Sequence, residues 1–183
     1  SAHGRFVDAT ADRLRQIMEV NFFAATELMR EALPLLQQGR QPMVVNVGSI
    51  LGRRGLPFTT DYCASKWAAV GFDESLRMEM RDRAPGVKTT VVCPFFIDTG
   101  MFEGVKSRFE WLLPILTEHE ATQQIITAIE HDRARLVMPK LVGIVPLMRA
   151  LPVQIFDKTA DILGINVSMN EFVGRSTPAR HQA

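Results

Sequence analysis

The sequence predicts an α/β protein built on a parallel sheet, and three observations carry that reading. Helical and strand-like patterns alternate along nearly the whole chain, the order that parallel sheets with right-handed crossovers produce. Residues Met43–Val47 form a run broken only by Asn46, apolar enough for a strand covered on both faces. Residues 88–93 form a second run, rich in the β-branched Thr89, Thr90, Val91 and Val92, between a Pro-Gly turn and Pro94.

Composition narrows the function classes. The chain has 183 residues, 46% hydrophobic and 22% charged, which suits one domain with a substantial core. A net charge of +1 gives no electrostatic case for nucleic acid or an acidic partner. Cys63 and Cys93 lack metal-ligand spacing and read as reduced core thiols rather than a disulfide. No signal peptide is visible, and no run of 18 apolar residues marks a membrane span. The expected domain is 1–174, with 175–183 as a loose tail.

The elements follow in order. Asp8 or Thr10 can cap a helix running to about Leu36. Its apolar stripe is Leu14, Ile17, Met18, Ala25, Leu28, Ala32 and Leu35. Asn21 lies within that stripe, where an amide needs a specific partner. Residues 39–42 turn the chain into the first strand, in which Asn46 reads as structural rather than catalytic. A helix over 61–83 has a first half that is apolar or small nearly all round, so it should be covered on two sides. Its second half, from Asp73 on, reads as charged and solvated. After the strand at 88–93 comes 94–101, which leaves the carboxyl end of the sheet, where ligands of open α/β sheets bind. Residues 101–117 carry Phe102, Phe109, Trp111, Leu112, Leu113 and Leu116, equally suited to covering an apolar substrate or to plain packing. A helix over 118–131 has Ala121, Ile125, Ile126 and Ile129 on one side, and a short strand, Arg135–Met138, stops at Pro139. Residues 141–156 are unusually apolar and are broken by Pro146 and Pro152. They could cap a cleft, pack in a dimer, or lie on a membrane surface with Lys140, Arg149 and Lys158 outward.

The chemistry concentrates between Ser49 and Lys66. Tyr62 and Lys66 are four apart, so on a helix they share one face. A free phenol is a poor base at neutral pH, and a nearby ammonium favours the phenolate. A tyrosine tuned in this way can exchange a proton with an alcohol or carbonyl oxygen. Ser49, after the first strand, can hydrogen-bond the same oxygen. Tyr-x-x-x-Lys alone is a weak signal. The order of strand, Ser, glycine-bearing loop and Tyr-x-x-x-Lys opening a helix is much more specific.

That order resembles the short-chain dehydrogenase/reductase family, in which the Ser stands about a dozen residues before the Tyr, as Ser49 stands before Tyr62. The resemblance covers roughly 5–172. It implies a Rossmann-like doubly wound parallel sheet, back part only, with about three strands, flanking helices and a C-terminal apolar helical segment. It implies catalytic roles for Asn21, Ser49, Tyr62 and Lys66. Asn21 would bend its helix and hold a relay water. Cofactor contacts are implied for Tyr62, Lys66, Pro94, Ile97 and Thr99, with NAD or NADP as the cofactor. Phe95 replaces the family's usual glycine, which puts the backbone there in question. The segments 112–116 and 138–141 look like the epidermal retinol dehydrogenase branch. The implied substrate is a small lipophilic alcohol or carbonyl, such as a retinoid or steroid. The helix at 61–83 commonly forms a homodimer interface in the family. The implied location is cytoplasmic, with peripheral membrane contact through 141–156 as one reading.

No Gly-x-x-x-Gly-x-Gly turn and no Asn-Asn-Ala-Gly segment occurs in the sequence. In an intact relative these would precede Ser1, so the expectation is a fragment or a truncated product that by itself binds nicotinamide cofactor weakly or not at all. A non-catalytic remnant acting only as a dimerisation or interaction module is the alternative function. A nucleotide-sugar epimerase, which shares the Tyr-x-x-x-Lys chemistry, ranks last, because 101–117 offers little basic polar surface for a diphosphate.

Overall fold

The computed structural model describes residues 4–84, 86–100, 105, 108–109, 111 and 113–172. Helix α1 (Ala11–Met18) starts at Thr10, whose hydroxyl accepts from the Arg13 N–H at 3.2 Å. A wide π turn, Glu19–Phe23, follows, and helix α2 (Ala24–Leu36) continues from it. The π turn inserts one extra residue into the helical count and so shifts the buried face by one position. Leu14, Ile17 and Met18, before the turn, are half-buried as the stripe predicts. Beyond it the prediction fails: Leu28 and Leu35 are 71% and 72% exposed. Met29, Leu33 and Leu36 take their place against Val44, Met80 and Val87.

Strand β1 (Met43–Val47) pairs in parallel with β2 (Lys88–Pro94), from Met43 opposite Lys88 to Val47 opposite Val92. Strand β5 (Arg135–Met138) pairs in parallel on the other side of β2, ending with Met138 opposite Pro94. The order is β1-β2-β5, so β2 is the central strand, and Val91, Val92 and Cys93 are buried. β1 lies at an edge of the described sheet, with Val45 and Val47 exposed. A second, two-stranded parallel pair joins β3 (Ile97–Asp98) to β4 (Leu116–Thr117). Two-residue strands leave no periodicity in a sequence, so this pair was not foreseen.

Helix α3 (Thr60–Arg83) packs against β1 and β2 and against the turn after β1. One flank of its first half is exposed, at Trp67 and Gly71. Asp73 corrects the expectation of a solvated second half, because it is fully buried. The Asn46 amide donates to its Oδ1 at 2.7 Å, and the Thr89 hydroxyl donates to its Oδ2 at 3.4 Å. Asn46 thus has the structural task the sequence suggested. Burial raises the Asp73 carboxyl pKa above its ordinary value, and those two hydrogen bonds oppose the shift.

Helix α4 (Glu118–Glu130) begins with a capping box between Thr117 and Glu120. It buries Ala121 and Ala128 and half-buries Ile125 and Ile129, on the side expected, while Ile126 is exposed. A 3₁₀ segment (Lys140–Ile144), helix α5 (Val145–Met148) and helix α6 (Val153–Ile162) form a C-terminal arm. Pro146 stands in the first turn of α5, and Pro152 caps α6. The arm turns Val142 and Val145 into the core and leaves Leu141, Ile144, Leu147, Val153 and Ile155 exposed. Both cysteines are free and buried. Among the described residues no helix is long and apolar enough to cross a membrane. The expected loose tail lies outside the described residues.

Candidate active site

The site is assembled at the carboxyl ends of β1 and β2. Ser49 is the second residue after β1, and its Oγ accepts from the Leu51 N–H at 3.1 Å, capping a short 3₁₀ turn (Ile50–Gly52). This turn lies directly on α3, and Gly52 makes the approach feasible. A Cβ there would stand 2.8 Å from Val70 Cγ2, 2.9 Å from the Lys66 carbonyl carbon, and closer still to the Lys66 carbonyl oxygen. Ser49 is therefore held beside the first two turns of α3, which carry Tyr62 and Lys66.

Tyr62 is half-buried and packs against the cluster that includes Leu51, Leu113, Val142 and Val145. Burial raises its pKa above the ordinary phenol value. The Ser49 hydroxyl is its hydrogen-bonding neighbour and, by favouring the phenolate, acts in the opposite direction. The Lys66 ammonium stands 5.6 Å from the centre of the Tyr62 ring and donates to the Val47 carbonyl at 3.0 Å. Burial lowers the lysine's own pKa. The sequence led us to expect a phenol pulled down by that ammonium. The direction is the reverse, because desolvation of the half-buried ring is the larger effect. The shift favours the protonated phenol.

Asn21 is the third residue of the π turn, between α1 and α2. Its amide donates to Ser65 Oγ at 3.0 Å, and that hydroxyl donates to the Tyr62 carbonyl at 2.8 Å. Ser65 is fully buried and joins the π turn to the backbone of Tyr62. Sequence reading missed Ser65 and Gly52. Their only signal was small residues placed where two elements cross. An ion pair between Arg13 and Asp61, 3.0 Å apart, further ties α1 to the first turn of α3.

Pro94 ends β2, and Ile97 and Thr99 follow it at the same end of the sheet as Ser49. The Thr99 N–H donates to the Ile97 carbonyl at 2.9 Å. Phe95 brings no backbone strain. Among the described non-glycine residues positive φ occurs only at Phe58 and Asp132. The Phe95 ring is buried beside Phe96, with centroids 4.5 Å apart, and its N–H donates to the Met138 carbonyl at 2.8 Å. Among the described residues no group of three or more His, Cys, Asp or Glu could hold a metal ion.

A phenol, a hydroxyl and an ammonium gathered after a parallel strand are accompanied by a family match over residues 1–109, to the model described as short chain dehydrogenase. The chain belongs to the short chain dehydrogenase family. Epidermal retinol dehydrogenase 2 of Mus musculus is 40% identical over 172 residues, covering 93% of this chain and 56% of that protein. Retinol dehydrogenase 10 of Homo sapiens is 34% identical over 170 residues, covering 91% of this chain and 50% of that protein. The chain thus spans about half the length of the curated relatives it matches. Among solved structures, a short chain dehydrogenase from Burkholderia cenocepacia in complex with NADP superposes with a TM-score of 0.72. It is 27% identical, and the match covers 86% of this chain and 63% of that one. These relatives agree with the Rossmann-like fold and the retinol dehydrogenase likeness read from the sequence.

Proposed function

We propose that this chain supplies the proton-transfer and substrate half of an oxidoreductase that interconverts an alcohol and a carbonyl. The placement of the Tyr62 phenol beside Ser49, on the helix that also carries Lys66, supports this most strongly. The Tyr62 hydroxyl gives its proton to the oxygen of a carbonyl being reduced and becomes a phenolate; in the opposite direction the phenolate takes the proton of the alcohol being oxidised. Ser49 hydrogen-bonds that oxygen, and the Asn21–Ser65 link holds the tyrosine's helix in place.

The residues present suit the nicotinamide-ribose end of NAD or NADP. Lys66 offers an ammonium to ribose hydroxyls, and Pro94, Ile97 and Thr99 line the way out of β2. Bound there, the cofactor would supply or accept the hydride. The relatives' names include retinol dehydrogenases, and the Tyr62 surroundings are apolar, which favours a lipophilic alcohol or carbonyl such as a retinoid or steroid. The exposed apolar side chains of the arm fit contact with a membrane surface within the cytoplasm. Trp67 and Gly71, exposed on α3, fit a homodimer contact.

The reading is tested in the complete gene product by following reduced nicotinamide with retinol and with NAD or NADP. Tyr62→Phe should lower turnover by at least about 100-fold while the folded spectrum is kept. Wild-type turnover in that variant would refute the role given to Tyr62.

A further inference from the structure

The sheet ends at β5, which pairs only with β2 among the described residues. The Val91 N–H donates to the Ala134 carbonyl at 3.1 Å, and the Phe95 N–H donates to the Met138 carbonyl at 2.8 Å. Residues 134, 136 and 138 therefore face β2, and the alternation of a strand turns the N–H and C=O groups of Arg135 and Val137 outward. Among the described residues these four outward groups have no hydrogen-bond partner.

An open groove of about 480 Å³ runs between this edge and α4. Gln123, Gln124 and Thr127 line it from α4, and Arg133, Arg135 and Lys140 line it from β5 and its flanks. Three cations thus share a lining that includes no acid. Arg135 is paired with Glu74. Arg133 and Lys140 are exposed and form no hydrogen bond or ion pair with a described residue. Asp132, the acid beside Arg133 in the chain, is engaged with Lys88. The net charge of +1 gave no case for an acidic partner, but it averages over the whole chain and conceals this local excess.

Unpaired main-chain groups on an edge strand are a template for one more strand. A second copy of this chain is a poor occupant. A two-fold contact would set β5 against β5, and with it Arg133 and Arg135 against their own copies. Like charges directly opposite each other destabilise a strand pair, whereas opposite charges stabilise it. The same cations that repel a copy attract an acidic strand.

We propose that the outer edge of β5 docks an extended acidic segment of another protein, which adds a strand to the sheet. Its main chain pairs with Arg135 and Val137, and its carboxylates meet Arg133 and Lys140. The side-chain amides of Gln123 and Gln124 offer both donors and acceptors to its remaining polar groups. β5 is four residues long, so the docked segment is of similar length. Docking here needs nothing from Tyr62.

The test uses the 183-residue chain labelled with heavy nitrogen, and the acetylated, amidated pentapeptide Glu-Val-Glu-Val-Glu as probe. Saturable shifts centred on the Arg135 and Val137 amides, with slowed hydrogen exchange at both, are the expected result. Affinity should weaken as salt is raised from about 0.05 M to about 0.5 M. Reversing the two exposed charges, by Arg133→Glu with Lys140→Glu, should lower affinity about 10-fold or more. Methylating the peptide nitrogens of the three Glu, or of the two Val, should abolish binding in one of the two forms and spare it in the other, because only alternate residues pair with β5. Absence of saturable shifts at β5, or equal affinity for Lys-Val-Lys-Val-Lys, would overturn the proposal. Shifts at Arg135 and Val137 that grow with protein concentration, without peptide, would assign the edge to a second copy and overturn it as well.

Discussion

Two glycines close to one another in the fold should respond oppositely to the same methyl group. Gly52 sits where the turn after β1 meets α3. A Cβ there would come within 2.8 Å of Val70 Cγ2 and 2.9 Å of the Lys66 carbonyl carbon. The Val70 methyl could rotate away, but the Lys66 backbone belongs to a helix and cannot move alone. Gly52→Ala must therefore push the turn away from α3. Overpacking of this kind costs about 3 kcal/mol at its upper range. For a chain of this length that lowers Tm by about 6–12 °C. Gly71 lies on the exposed flank of the same helix, and an added Cβ would meet nothing within 4 Å. Gly71→Ala should stabilise the monomeric chain by about 1 kcal/mol through helix propensity alone. Urea unfolding of the two variants, read at unchanged slope, measures both effects. Because the Gly52 turn carries Ser49, its variant should also weaken the Ser49–Tyr62 interaction. A Gly52→Ala midpoint equal to wild type would refute the claim that this contact positions the site.

Other consequences are smaller in scope. Asp73 has a raised pKa in the folded chain, so its contribution to stability is present below the ordinary carboxyl value and is lost as pH rises through the folded value. Asp73→Asn keeps acceptable partners in Asn46 and Thr89, and should flatten the fall in stability on going from about pH 4 toward neutrality. An unchanged pH slope in urea midpoints would count against a strained buried carboxylate. Asn21→Ala removes the bond to Ser65 and should cost about 1 kcal/mol, since Ser65 keeps the Tyr62 carbonyl as acceptor. A loss above about 3 kcal/mol would mean that the π turn itself depends on that amide.

The sequence was most informative where periodicity was long or chemistry was dense. Met43–Val47, 88–93 and 61–83 announced themselves by apolar runs and helical length, and the structure places strands or helices at each. The parallel pairing followed from their alternation. Tyr62, Lys66 and Ser49 could be grouped because helical spacing and strand-to-helix order bring them together. The exposed faces of Leu28 and Leu35 could not be read, because a π turn changes the phase without changing composition. Asp73 was taken for a surface charge for a similar reason: its partners Asn46 and Thr89 come from two different strands. The direction of the Tyr62 shift was misjudged because a spacing reports which charge is near and not how much water is lost. Residue 95 was suspected of strain because the family places glycine there, yet this backbone carries a phenylalanine without positive φ.

The central claim concerns a proton on one phenol, and the molecule offers a clean reporter, since Tyr62 is its only tyrosine. A titration of the tyrosine ring carbon by nuclear magnetic resonance in the folded chain gives a single curve. It should lie above the ordinary phenol value, and Ser49→Ala should move it higher by removing the neighbour that favours the phenolate. A curve at the ordinary value that Ser49→Ala leaves in place would show the two groups to be uncoupled and would contradict the site as described.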